Sequence, residues 1–275
     1  MGATEDIAVI RLDASDALAG LALSTEAHWN QNEADWRFFL TKGIVYGIRD
    51  KDGLLIATAA LLPYTSKQAW ISMVLVTASW RRRGLATRVV DACLDTATKL
   101  GFTSWLDATP AGASVYGPLG FAPDLQLRRL HREPNLPDQT TTRLSACDLG
   151  EFVARDASAM GFDRGALLNE LAGRPASRLF SNGNAKALVR DGRTIRHIGP
   201  LFAASAESAL VLVDEIVRAE ARPIQIDAIA SRREFLDGLT GSGWTIERPF
   251  QRMRFGRATT VSKDVAFAVA GPEYG

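Results

Sequence analysis

WRRRGLATRVVDACL, residues 80–94, sets three arginines, Arg81, Arg82 and Arg83, directly against a glycine and then begins an amphipathic helix. Leu85, Val89, Cys93, Ala97 and Leu100 recur near i+4 on one face, Arg88, Asp91, Asp95 and Lys99 occupy the other, and Gly101 is expected to stop the helix. The first turn of a helix leaves N–H groups without partners, and the macrodipole places partial positive charge at the same end. Gly84 and Ala86 keep side-chain bulk away from that end, while the arginines add charge and forked donors. The segment just before, QAWISMVLVT at residues 68–77, is apolar at nearly every position and is predicted to be a strand buried on both faces. Strand, basic glycine turn and helix together make a recipe for holding a diphosphate. The pattern R-x-x-G-x-[GA] alone would arise by chance in about one chain in four of this length, and a solvated basic turn is its plain alternative; the placement between strand and helix gives it weight. No neighbouring Lys-Ser/Thr pair or G-x-G-x-x-G makes it a nucleotide loop.

Outward from this stretch the period of the apolar residues organises the chain. IAVIRL (7–12) reads as a strand, and residues 15–43 read as two short helices around a polar, aromatic connection. IVYGIRDKDGLLIATAALLPY (44–64) is a hairpin turning at residues 50–53. After the helix come a strand at FTSWLDA (102–108), a short helix or turn at AGASVYGPLGF (111–121) and a strand at APDLQLRRLHRE (122–133). A Pro- and Thr-rich stretch (133–146) then reads as a linker. The second half repeats the order: a hairpin at 184–200, a helix at 207–221, a strand at 222–230, a helix at 231–244 and a strand at TIERPFQRMRF, 245–255. Gly84 precedes Gly120-Phe121 by the same interval that separates Glu207 from Gly243-Trp244, the mark of a duplicated module. The expected domains are residues 1–135 and 145–275, joined by a linker at 136–144.

The chain has 275 residues, room for two cores, and ordinary hydrophobic and charged content. A net charge of +1 gives no global pull toward nucleic acid or anionic membrane, so the arginine run acts locally. Two cysteines, Cys93 and Cys147, lie far apart, and no Cys/His spacing suggests a metal site. The first residues carry acids where a signal peptide is basic and apolar, and no segment is apolar enough to span a bilayer; a cytoplasmic protein is expected.

WISMVLVTASWRRRGLATRVV, followed by LDATPAGASVYGPLGF, resembles the cofactor core of the GNAT superfamily of N-acetyltransferases, and the whole chain is similar to bacterial tandem-GNAT proteins. The resemblance implies an α/β (α+β) fold of two tandem GNAT-like modules, each a mixed, mostly antiparallel central sheet flanked by helices. It implies acetyl-CoA as co-substrate, without metal. The backbone of Val74, Leu75 and Val76 would pair with the pantetheine arm, and Arg81, Arg82, Arg83, Gly84, Leu85, Ala86 and Thr87 would hold the pyrophosphate. Tyr116 falls where the family places a tyrosine beside the thioester sulfur, which makes it the expected proton donor to the thiolate.

In this family the helical insertion walls the acceptor site, and here it carries His28, Trp29, Asn30, Gln31 and Trp36, a mix of stacking surface and directional polar groups suited to a small polar ligand. The strand at 70–76 lacks the carboxylate that many members use as base; Glu26, Glu33, Asp35, His28 or a water chain are the candidates. In the second half, GPLFAASAESAL replaces the arginine–glycine turn and puts Glu207 at the helix start, so phosphate would be repelled there. His197 and Asp227 are expected to be a strand-end polar group and a surface carboxylate, with the lining of a pocket in the second module as the alternative. The sequence thus leads to an N-acetyltransferase acting on a small-molecule primary amine, monomer or homodimer, with cofactor in the first module; the alternative is a non-catalytic CoA- or ligand-binding tandem scaffold. A serine hydrolase is disfavoured because GASVYG lacks the closing glycine of G-x-S-x-G.

Overall fold

A computed structural model describes residues 8–134, 144–257 and 266–275. The chain forms two compact units, one of residues 1–63 and 67–106, the other of residues 64–66 and 107–275. Residues 107–134, which the sequence pattern places with the first module, belong to the second unit. The expected linker lies outside the described residues apart from Leu144.

In the first unit, β1 (Val9–Arg11), β2 (Ile44–Arg49), β3 (Leu55–Pro63) and β4 (Gln68–Val76) form an antiparallel run, and β5 (Thr103–Ala108), whose last two residues belong to the second unit, joins β4 in parallel. The β-branched and apolar residues of β3 and β4 are buried along almost their whole length, as expected of a strand covered on both faces. Helix α3 (Leu85–Lys99) buries Leu85, Val89, Val90, Cys93, Leu94 and Ala97. The chain leaves it at Gly101 through a left-handed turn (φ 73°), and Leu100, expected on the apolar face, is exposed.

Helices α1 (Ala17–Glu26) and α2 (Glu33–Lys42) fill the insertion between β1 and β2. Asn32 and Asp35 cap α2 reciprocally, each side chain accepting from the other's backbone N–H. Trp36 is fully buried: its ring lies where a Cβ on Gly20 would sit, 2.3 Å away, and its Nε1–H donates to Ser24 Oγ at 3.0 Å.

In the second unit, α4 (Pro110–Tyr116) leads into β6 (Ala122–Arg132). There follow β7 (Ser145–Ala146), α5 (Leu149–Met160), α6 (Gly165–Gly173), β8 (Arg178–Asn182), β9 (Ala185–Asp191) and β10 (Arg196–Phe202). Then come α7 (Ala206–Ala219), β11 (Ile224–Ile229), α8 (Arg233–Gly241), β12 (Thr245–Phe255) and β13 (Ala266–Ala268). Within this unit the strands lie in the order β12-β6-β11-β13-β10-β9-β8-β7, with β10 also paired directly to β11. The core gathers Ile198, Leu201, Leu212, Ile216, Phe235 and Trp244 under α7 and α8.

β6 and β12 run antiparallel and carry the same sequence of buried and exposed positions, the structural trace of the repeat. Each holds one buried arginine in a bidentate pair. Arg129 of β6 donates to Asp227 of β11 at 2.9 and 2.8 Å, and Arg252 of β12 donates to Asp107 of β5 at 2.8 and 2.8 Å. The last strand of each repeat is thus pinned to a carboxylate of the other repeat.

Candidate functional site

The glycine turn between β4 and α3 is built to expose donors. Arg82 (φ 63°) and Gly84 (φ 77°) are both left-handed, and Gly84 caps α3 without any side-chain cap bond. The first helical bond runs from Arg88 N–H to the Gly84 carbonyl. The N–H groups of Arg82, Arg83, Gly84, Leu85, Ala86 and Thr87 have no acceptor among the described residues. Beyond its chain neighbours, no atom lies within 4 Å of where a Gly84 Cβ would be. Arg81 turns back, its Nε donating to the Val76 carbonyl at 3.0 Å, and Arg83 packs its guanidinium over the Trp80 ring with centroid distance 4.7 Å. All three arginines are exposed. Positive charge, unpartnered backbone donors and a helix start thus meet at one turn.

The strand leading into the turn is equally specific. β4 pairs with β5 only at Gln68↔Thr103, Ala69↔Ser104 and Trp70↔Trp105. On the opposite side its ladder with β3 slips after Ser72, where Met73 takes φ 52° and its carbonyl accepts from Thr58 Oγ1 at 2.8 Å. This bulge breaks the in–out alternation of β4 just before Val74, Leu75 and Val76. Their β5-facing edge lies past the last paired position, a place where an extended ligand can add as a strand does.

The insertion residues separate in character. His28 (φ 57°) is exposed, and Trp29 and Asn30 are half-buried. Gln31 is 8% exposed, with an Oε1 that has no partner. Trp36, expected in the acceptor wall, has no accessible surface; it anchors α2 on α1. The candidate carboxylate bases are engaged. Glu26 accepts from Ala78 N–H and Thr77 Oγ1, both at 2.7 Å, and these two bonds hold its carboxyl below the usual range. Glu33 pairs with Arg37 at 2.5 Å, and Asp35 is the buried cap of α2. A helix cap is the alternative the sequence leaves for these acids, and Asp35 fills it in the capping box of α2.

Tyr116 ends α4 in the second unit, half-buried, its ring edge-on to Phe121 with centroids 5.9 Å apart. Thr109 caps this short helix by accepting from Gly112 N–H, and Pro110 occupies its first position.

Comparison with known proteins accounts for both halves. A family model described as Acetyltransferase (GNAT) family matches residues 14–121, and one described as Acetyltransferase (GNAT) domain matches residues 153–268, so that between them they span most of the chain. The chain belongs to the GNAT acetyltransferase superfamily. It is a tandem GNAT acyltransferase, with one matched region in each half. It is 24% identical over 247 residues to the uncharacterized N-acetyltransferase YitH of Bacillus subtilis, covering 86% of this chain and 87% of that protein. A putative acetyltransferase from Pyrococcus horikoshii has the same fold with TM-score 0.82 at 18% identity, over 99% of this chain and 97% of that one. A tandem GNAT protein from the clavulanic acid biosynthesis pathway gives TM-score 0.65 at 13% identity, over 92% of this chain and 100% of its own.

The second GNAT module differs from the first at the equivalent helix start. α7 closes its own first turn with a capping box: Ser208 N–H donates to Ser205 Oγ at 3.2 Å, and Ser205 N–H donates to Ser208 Oγ at 3.1 Å. Where α3 starts on a glycine with no side-chain cap, α7 satisfies the Ser205 and Ser208 N–H groups internally and adds Glu207. Asp227, expected at the surface, is fully buried, and so is His197, whose Nε2 lies 3.0 Å from Asp227 Oδ2. Burial pushes the Asp227 carboxyl up, but Arg129 and His197 outweigh it and hold it below the usual range; burial pushes the His197 imidazole down. Burial raises the Asp107 carboxyl despite Arg252. Among the described residues there is no cluster of metal-ligating groups and no helix long and apolar enough to cross a membrane.

Proposed function

We propose that this acyltransferase moves an acetyl group from acetyl-CoA to the primary amine of a small molecule by direct attack in a ternary complex, with acetyl-CoA held by the first module. The observation that carries the reading is the run of six unpartnered N–H groups under an open, left-handed glycine cap. Those amides, flanked by Arg81, Arg82 and Arg83, fit a pyrophosphate, and the β5-facing edge of Val74, Leu75 and Val76 fits an amide-bearing arm. Acetyl-CoA supplies the activated thioester. Tyr116, with a reference pKa near ~10, is assigned as donor of the proton that the thiolate takes up.

His28, Trp29, Asn30 and Gln31 are assigned to the acceptor, and the buried Gln31 Oε1 suits an amine N–H. With Glu26, Glu33 and Asp35 engaged, His28 or water is left to take the proton from the amine. An amine of pKa near ~7.8 costs about 1 kcal/mol to deprotonate at pH 7, against about 4.6 kcal/mol for one near ~10.4, so an acceptor of the first kind needs least help. The protein is proposed to act in the cytoplasm as a monomer or homodimer. Isothermal titration with acetyl-CoA and CoA, on the wild type and on Arg83→Glu with Gly84→Glu, tests the reading. One site per chain, lost in the double variant, is expected; no binding by the wild type refutes it.

A further inference from the structure

β10 and β11 begin as a parallel pair, Arg196↔Ile224, His197↔Gln225 and Ile198↔Ile226, and then part, as β4 and β5 do after three pairs. Among the described residues no strand enters between β4 and β5. Between β10 and β11 the 266–275 segment does: β13 pairs with Leu201 and Phe202 on one side and with Ala228 on the other, and Val269 N–H donates to the Asp227 carbonyl at 3.1 Å. Gly199 makes room for it, since a Cβ there would lie 2.0 Å from the Val269 carbonyl oxygen.

Beyond β13 the segment closes a turn, Tyr274 and Gly275 N–H both donating to the Gly271 carbonyl at 2.9 Å, and side chains hold that turn in place. Arg190 donates to the Ala270 carbonyl at 3.0 Å and to Glu273 at 2.8 Å, and lies 5.4 Å from the centroid of the Tyr274 ring. The Tyr274 carbonyl accepts from Tyr64 Oη at 2.8 Å and from Arg164 at 3.2 Å, and Arg164 also reaches the Gly275 oxygen. Arg164 is itself fixed by a bidentate pair with Asp156 at 2.8 Å. Backbone pairing at one end and a charge, a ring and carbonyls at the other are the elements of strand-addition recognition.

We propose that the β10/β11 cleft is a peptide-binding slot, specific for a short apolar strand followed by a Gly-Pro-Glu-Tyr-Gly turn, and that 266–275 is its resident ligand bound in cis. This slot is independent of the acetyl-CoA site assigned above. A ligand tethered in the same chain acts at an effective concentration of about millimolar, so a free peptide competes poorly until the tethered copy is weakened.

The first test is hydrogen exchange of the wild-type protein. The Val269 amide, bonded to the Asp227 carbonyl of β11, is expected to exchange at least tenfold faster than those of Ile198 and Ile226 while staying well protected relative to free peptide, as for a segment that leaves without global unfolding. Exchange equal to that of the β10 and β11 amides makes the segment an integral strand and overturns the proposal. The second test uses full-length Glu273→Arg with Tyr274→Ala and a fluorescein-labelled peptide DVAFAVAGPEYG. Saturable 1:1 binding is expected, at least tenfold tighter than to wild type and lost when the peptide itself carries Glu→Arg. No binding to the folded variant overturns the proposal, as does a second equivalent of CoA bound by that variant, which would make the slot a masked cofactor site.

Discussion

Gly84→Glu separates the strain of the cradle from its charge. The residue has φ 77° with no atom within 4 Å of a new Cβ, so a side chain there adds no clash and costs only the left-handed penalty of about 1–2 kcal/mol. Gly84→Ala incurs the same penalty without charge. A carboxylate about 6 Å from a diphosphate on the α3 amides repels each phosphate charge by about 3 kcal/mol at an effective dielectric of ~20. Discounting one of the two charges for solvent screening leaves about 3 kcal/mol, or roughly 100-fold in Kd. Titration calorimetry with CoA is therefore expected to show Gly84→Ala within about threefold of wild type and Gly84→Glu weaker by about 100-fold, with equal falls in melting temperature. Raising salt to about 1 M narrows the gap between the two variants, because the screening length drops to ~3 Å. Equal affinities for Gly84→Glu and Gly84→Ala, both folded, would refute a diphosphate on this helix start.

Tyr116→Phe keeps the ring contact with Phe121 but removes the proton, so kcat is expected to fall by about 100-fold while CoA affinity by calorimetry is unchanged; an unaltered kcat sinks its role as acid. Asp107→Asn and Asp227→Asn each break a buried bidentate pair and should cost about 3–5 kcal/mol, read as a lower urea midpoint. The larger loss is expected at Asp227, which also holds His197. The imidazole of His197 is kept neutral by burial, so the unfolded chain takes up its proton first as pH falls through about 6.5; stability should drop between about pH 7.5 and pH 5.5, and His197→Gln should flatten that slope.

Periodicity made the first repeat readable. The strands flanking WRRRGLA and the α3 stripe depend on side chains within a few residues of one another, and α3 occupies the face that Leu85, Val89 and Cys93 announced. Helices α5 and α6 went unread, although Asp148 before an amphipathic run is a usable N-cap signal. Non-local pairing was out of reach. Nothing in APDLQLRRLHR says that β6 lies between β12 and β11, and three residues of β13 carry too little pattern to place a strand between β10 and β11. Trp36 shows the limit at the site: an aromatic in a polar insertion reads equally as ligand wall or anchor, and Gly20, sixteen residues earlier, makes it an anchor.

The crossing of Arg129 to Asp227 and of Asp107 to Arg252 also sets an order of events during synthesis. Partners stand 98 and 145 residues apart, and both neighbours of β6 within its unit, β11 and β12, are translated after it. At about 5–20 residues per second, β6 emerges roughly 5–20 s before the carboxylate that neutralises its arginine, with both edges bare. Until then a nascent chain carries an unpaired strand with Leu127 and Leu130 on offer. Ribosome stalling within residues 133–223 would therefore prolong the interval in which this protein is most exposed to mispairing with a neighbouring copy.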